Sequence, residues 1–228
     1  MKRVHITILF VIFSMGLTWS QAFYKPMHDY WEGWVGVGGA TYYGDIGSKA
    51  TIIQPSFEVG GRYFLSNHLA VSAGATYASL KGDDSFNNTT RAYSFIAYLG
   101  EFSGNAEVFL FSEGSKFKRY GSYKGAGSNE FNFFVIAGAG YMLFGNQAYN
   151  DGEYERLTTE SYDKSSYVIR FGGGLKYTFD NIWAVSLSVI DRVTATDYID
   201  DFSSGTNKND VYIITMFNII YKLDSRNK

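Results

Sequence analysis

Between Ser165 and Phe179 apolar and polar positions alternate without a break. Tyr167, Ile169, Phe171, Gly173, Leu175, Tyr177 and Phe179 fall on one face, and Ser166, Val168, Arg170, Gly172, Gly174, Lys176 and Thr178 on the other. The apolar face is long enough to cross a bilayer as a tilted strand, which takes about 9 to 11 residues. Tyrosines stand near both of its ends and aliphatics between them.

The same period recurs along the chain and predicts strands over Tyr30–Tyr43, Pro55–Phe64, Leu69–Leu80, Arg91–Phe111, Phe131–Phe144, Ser165–Phe179, a segment that starts at Trp183 and gives way to a loop at Arg192, and Val211–Leu223. Phe57, Val59 and Tyr63 oppose Ser56, Glu58 and Arg62. Val71, Ala73, Ala75 and Tyr77 oppose Ser72, Gly74, Thr76 and Ala78. Trp183, Val185, Leu187 and Val189 oppose Ala184, Ser186 and Ser188, and Phe217, Ile219, Tyr221 and Leu223 share one face of the last strand. Both faces of Tyr30–Tyr43 are apolar, so its phase stays open. Arg91–Phe111 alternates least regularly, with Gly100 and Gly104 as candidate bulge positions.

Eight is the smallest strand number that closes into a membrane barrel, and closure matters because lipid offers nothing to an unpaired strand edge. Apart from one exception, long and short connections alternate. The short turns LSNHL and FDN fall on the side of both termini, the periplasmic side of such a barrel. The exception is Ser112–Glu130, a long Gly/Ser-rich, basic connection on that same side. With this topology Tyr42, Tyr77, Tyr141 and Tyr167 form an outer aromatic rim, and Tyr63, Tyr177, Phe179, Trp183 and Tyr221 an inner one.

Composition fits. The 228 residues include 19 Tyr, 19 Phe, 25 Gly and only 2 Pro, which suits long strands with aromatic girdles. The opening MKRVHITILFVIFSMGLTWSQA, with Lys2 and Arg3 before an apolar run and small residues at Ser20 and Ala22, reads as a signal peptide over residues 1–22, leaving 23–228 as one domain. Its removal takes the formal charge from −2 to −4, with no basic footprint for nucleic acid. Cysteine is absent, so there is no disulfide, thiolate metal site or lipid-modified cysteine. The expected class is an all-β, antiparallel, eight-stranded transmembrane barrel of an outer membrane.

The inward polar faces carry Glu58, Arg62, Glu107, Arg170 and Lys176, with Lys222 a further candidate. An eight-stranded interior is just wide enough for side chains, so these charges must pair across it, as a structural network or as a proton or ion path. The mature chain keeps only His28 and His68, both placed at the periplasmic end, and no nucleophile with a base beside it; the expectation is a protein that is not an enzyme and needs no cofactor. At the outer mouth the loops bring Asp45, Asp197, Asp200 and Asp201 together. Such oxygens suit Ca²⁺, but their spacing matches no established loop, so they are read as solvated rim acids and no metal is assigned.

GGATYYGDIG (38–47), NFFVIAGAGYMLF (132–144), FGGGLKYTFDNIWAVSL (171–187) and especially TATDYIDDFS (194–203) resemble the PorG-like outer-membrane β-barrel proteins of Bacteroidota. The motif residues at the outer mouth are Tyr43, Gly44 and Asp45 with Asp197, Tyr198, Asp200 and Asp201. The resemblance implies an integral component of the type IX secretion system, which also supports gliding, and partners in the periplasmic ring built from a lipoprotein and its companion. On that reading Lys116, Lys118, Arg119 and Lys124, with Phe117, Tyr120 and Tyr123, form a periplasmic partner surface on the long connection. The alternatives are a small OmpA/OmpX-like barrel acting as a narrow pore or as a ligand-binding or adhesion protein, and a soluble lipocalin-like carrier.

Overall fold

The computed structural model describes residues 30–46, 52–66, 68–84, 93–111, 130–158, 161–179, 182–202 and 209–224. The signal peptide and the partner surface between 112 and 129 lie outside them.

Among the described residues nine strands form: β1 (Tyr30–Tyr43), β2 (Gln54–Phe64), β3 (Leu69–Asp83), β4 (Tyr93–Phe109), β5 (Glu130–Asn150), β6 (Glu153–Tyr154), β7 (Ser165–Thr178), β8 (Trp183–Thr194) and β9 (Val211–Asp224). All pairings are antiparallel, and β4 pairs β5 while β1 pairs β9, so eight strands close on themselves and β6 is a two-residue hairpin arm of β5. Following the register from Trp31 through Tyr63, Val71, Ala106, Ala137, Phe171, Asp191 and Ile213 returns to β1 at Thr41, a stagger of ten residues (41 − 31). Ten residues of about 3.3 Å rise against eight spacings of about 4.8 Å tilt the strands by about 40°.

Sidedness follows from the alternation. Val35, Phe102 and Ile169 are 58%, 68% and 63% exposed, whereas Glu32, Lys176 and Arg192 are at most 1% exposed. Phe171, Leu187 and Phe217 point outward, and Arg170 and Arg62 inward. Greasy outside and charged inside is the reverse of a water-soluble carrier, so lipid is the solvent of the outer surface. Rings pair along the inner rim at Trp31–Tyr63 (4.8 Å), Phe131–Tyr177 (4.5 Å) and Trp183–Tyr221 (5.0 Å), and at the outer rim Tyr141 meets Tyr167 (5.5 Å).

Four expectations need correction. Tyr42 does not belong to the lipid-facing rim: it turns inward, 1% exposed, because β1 takes the phase that buries Trp34 and Tyr42. Neither Gly100 nor Gly104 makes a bulge, since β4 pairs both neighbours in unbroken register. The expected loop after Phe144 starts later; β5 runs on to Asn150 and turns through Asp151 (φ 49°) and Gly152 (φ 84°), left-handed positions that glycine and aspartate tolerate. Likewise β8 continues to Thr194, which makes Arg192 a strand residue with its side chain in the lumen.

Candidate functional site

Two ionic layers cross the lumen. Nearer the termini, Glu32 of β1 receives Lys176 Nζ from β7 (2.7 and 3.0 Å) and the Arg62 Nε of β2 (3.4 Å), while Arg62 Nη1 donates to Glu107 of β4 (2.6 Å). The Arg62 guanidinium also lies 5.0 Å from the Trp34 ring centre, and Lys176 Nζ 5.2 Å from that of Phe64. Phe64, Phe109 and Phe134 pack as a tilted cluster at this end. Lys222 reaches Glu32 only at 4.0 Å and donates to Thr178 Oγ1.

In the second layer Glu101 accepts from Arg192 Nε (3.0 Å) and Tyr212 OH (2.7 Å) and pairs with Arg170 Nε (3.2 Å). Arg170 also reaches Glu58 (3.6 Å) and donates to Ser103, and Glu58 accepts from Trp34 Nε1 (2.8 Å). All five charges read from the pattern are therefore in the lumen and paired. Three more were missed. Glu101 shares the inward parity of Glu107, Arg192 that of Ser186 and Ser188, and Glu32 that of Trp34, so each had a legible period but an uncertain boundary or phase.

The space between the layers, bounded by Trp34, Ser103, Asn105 and Asn218, amounts to ≈20 Å³, about enough for one water. Above the second layer the barrel fills with Tyr42, Leu80, Phe95, Leu99, Met142 and Tyr212, a core of the kind found in soluble domains. Paired charges below and packed hydrocarbon above fill the described lumen.

At the outer mouth the segment 195–202 folds back over this core, and Ile199 plugs it with no exposed surface. Its acids hold it there. Asp210 accepts from Ile199 N (2.9 Å) and from Tyr42 OH; Asp200 accepts from Ile46 N and Phe202 N (both 3.1 Å); Asp201, itself left-handed at φ 59°, accepts from Leu157 N (3.0 Å) and Tyr162 OH (2.6 Å). Asn146 of β5 donates to the carbonyls of Tyr198 (2.7 Å) and Ile199 (3.2 Å), and the Tyr162 and Tyr198 rings stack at 4.6 Å. Asp200 and Asp201 are thus not solvated rim acids: they are 0% and 5% exposed, because backbone N–H groups with no ladder partner draw carboxylates into the cap. Asp45, Asp197, Tyr43 and Gly44 are half-buried at the rim. Among the described residues no group of three or more His, Cys, Asp or Glu is arranged to hold a metal ion.

Burial pushes the Asp210 carboxyl up to about 7, with the Asp197 and Asp45 charges adding to it while the Tyr42 and Ile199 donors oppose. Burial and the neighbouring Asp210 charge raise Asp200 as well. Burial and the bond to Asp201 raise Tyr162. His68, at the opposite end, has its Nδ1 2.9 Å from the Phe109 carbonyl and no acid beside it among the bonds described.

The register, the closure and the inverted sidedness settle the architecture. The chain is a closed eight-stranded outer-membrane-type barrel. No protein-family model matches it, and no curated protein does. Solved structures of similar shape include Ail, the attachment invasion locus protein of Yersinia pestis, crystallised with the heparin analogue sucrose octasulfate (14% identity, 86% of this chain and 100% of that one, TM-score 0.47), Neisserial surface protein A (12%, 86% and 98%, 0.40) and the outer membrane protein OprG of Pseudomonas aeruginosa (9%, 87% and 97%, 0.44). The outer membrane enzyme PagL is also among them (14%, 84% and 98%, 0.39). At these identities the likeness is one of fold.

Proposed function

We propose that this protein is a non-enzymatic, non-conducting barrel of the outer membrane that acts through its outer mouth, as a ligand-binding or adhesion protein of the small OmpA/OmpX-like kind. One observation carries this reading. The lumen is packed from the Phe64–Phe109–Phe134 layer to Ile199, while the cap above it is held by side-chain bonds from four separate parts of the chain. A pore has no use for a packed lumen; a binding surface gains from a rigid support.

The second reading is an anchor of the type IX secretion machinery, supported by the four PorG-like segments. The connection between β4 and β5 leaves and re-enters the barrel at the end that carries the termini, where a periplasmic ring would stand. The segment TATDYIDDFS has a structural job in the cap, so its presence speaks for the scaffold before it speaks for secretion.

One experiment separates the two. Intact cells are treated with a membrane-impermeant crosslinker, and permeabilised cells with the same reagent. Partners trapped from outside support the outer-mouth reading; partners trapped only after permeabilisation, and lost when residues 116–124 are replaced by a Gly/Ser segment, support the secretion anchor and overturn the first.

A further inference from the structure

The outward face of the barrel is not uniform. Across β2, β3 and β4 it dips into a crevice of ≈270 Å³ bounded by Phe57, Val59, Ala75, Tyr77, Gly100 and Phe102. Register explains the dip: Tyr77 pairs Gly100 and Ala75 pairs both Val59 and Phe102, so small residues form the floor and rings the walls. A Cβ built on Gly100 would meet nothing within 4 Å, so the missing side chain opens the space rather than making room for a neighbour.

Four residues outward from Tyr77, on the same face of β3, stands Lys81, opposite Ile96. Among the described residues no ion pair includes it. Four residues span about 13 Å of strand, or about 10 Å of height at this tilt. The lysine therefore stands about 10 Å higher than the crevice and about 8 Å to one side of it along the strand tilt, within the reach of the phosphate of a lipid whose tail leans with the strands. Asp83, two residues further out, bounds where an anionic headgroup can sit.

We propose that this face holds one anionic, phosphate-bearing lipid, its acyl chain in the crevice over Ala75 and Gly100 and its phosphate on Lys81. The crevice is continuous with the lipid-facing belt, which makes a lipid tail its occupant, and Lys81, in no ion pair among the described residues, selects a negative headgroup. The inference depends on the barrel's sidedness and not on which partner the outer mouth binds.

The test is native mass spectrometry of the full chain purified from detergent, supplied with phosphatidylglycerol or with phosphatidylcholine. One phosphatidylglycerol is retained per wild-type barrel, with phosphatidylcholine retained at least fivefold less. Gly100→Trp, which fills the crevice from the lipid side, abolishes retention, and Lys81→Ala removes the preference between the two lipids. Ile169→Trp, on the opposite wall, changes nothing. Folding is checked by heat-modifiable gel mobility, with Ala75→Phe replacing Gly100→Trp should the latter not fold. The proposal is overturned by equal retention of both lipids in the wild type, by retention that survives crevice filling, or by a dimer in place of a bound lipid.

Discussion

Arg170 and Arg192 face each other directly across the β7–β8 ladder, two buried guanidiniums in register. Like charges so placed repel. They coexist because Glu101, reaching across the lumen from β4, takes one on each carboxylate oxygen, at 3.2 and 3.0 Å, while Tyr212 donates to it from β9. A single carboxylate thus ties together four strands that are not all neighbours, and its cost of burial is offset only while all its partners stay.

Glu101→Gln is accordingly expected to cost about 3–5 kcal/mol, the range for breaking a buried pair and leaving charge behind. The double variant Glu101→Gln/Arg192→Met should be milder than the single one, since it removes an orphaned cation. Urea-dependent folding into vesicles, read by heat-modifiable mobility, checks both. Equal loss in single and double variants would show that the network is not coupled.

Depth along the lipid face gives a second prediction. Leu187 lies midway along β8, while Tyr221 sits in the inner ring of aromatics beside Trp183. Leu187→Arg should destabilise the folded barrel in bilayers by about 2–4 kcal/mol, and Tyr221→Arg by about 0–1 kcal/mol beyond the loss of its ring contact. If the two cost the same in lipid, the belt is not where the exposed side chains put it.

These outward positions were the legible part of the chain, because a strand with lipid on one side and a packed lumen on the other must alternate strictly. The faces of β2, β3, β7 and β9 are read correctly on that ground alone, although β3 runs past the expected end at Leu80 to Asp83, so that Lys81 is a strand residue and not part of a loop. Where both faces are apolar the rule has nothing to hold. That is why Tyr42 reads as a rim tyrosine: the upper lumen is as greasy as the outside. Strand ends are similarly hidden, since β5 and β8 run past the membrane into a region packed by loop residues, and Arg192 becomes a lumen charge only once the end of β8 is known; Glu101 was hidden instead by the irregular alternation of β4. The acids of 197–201 were visible as a cluster. Their burial was not, because it depends on Ile199 entering a core assembled from distant strands.

The seam between first and last strands is the third point of test. On β1, Gly36 and Gly38 face inward against β9, where a Cβ would collide with Asn218 at the first and with the Thr215 carbonyl and Met216 at the second. Gly38→Val should therefore block β1–β9 pairing and leave the barrel unclosed, which in lipid means unfolded. Gly104→Val is the control, since its Cβ would point into open space. The expected readout is loss of heat-modifiable mobility in the first variant and none in the second.

The cap supplies a pH dependence whose sign is fixed by its carboxylates. Asp210, raised to about 7 from an ordinary value near 3.9, binds its proton more tightly in the folded cap than in the open chain. Its contribution is therefore complete below about pH 4 and is lost as pH rises through about 7, and Asp200, raised by the same burial, acts in the same direction. The groups that face this pair are Tyr42, Asp45 and Asp197, with no cation among the causes of either shift. Above pH 7 the Asp210 charge then sits buried under Ile199 beside Asp200, and the segment 195–202 should loosen while the barrel below stays closed. Hydrogen exchange of that segment in micelles, corrected for intrinsic rates, is expected to show protection falling between pH 5 and 9. Asp210→Asn keeps an acceptor for one donor and carries no charge, so its protection should be flat and exceed the wild type at pH 9. Protection that instead rises with pH and collapses on adding a chelator would mean that these carboxylates hold a cation, and the proton-held cap would be wrong.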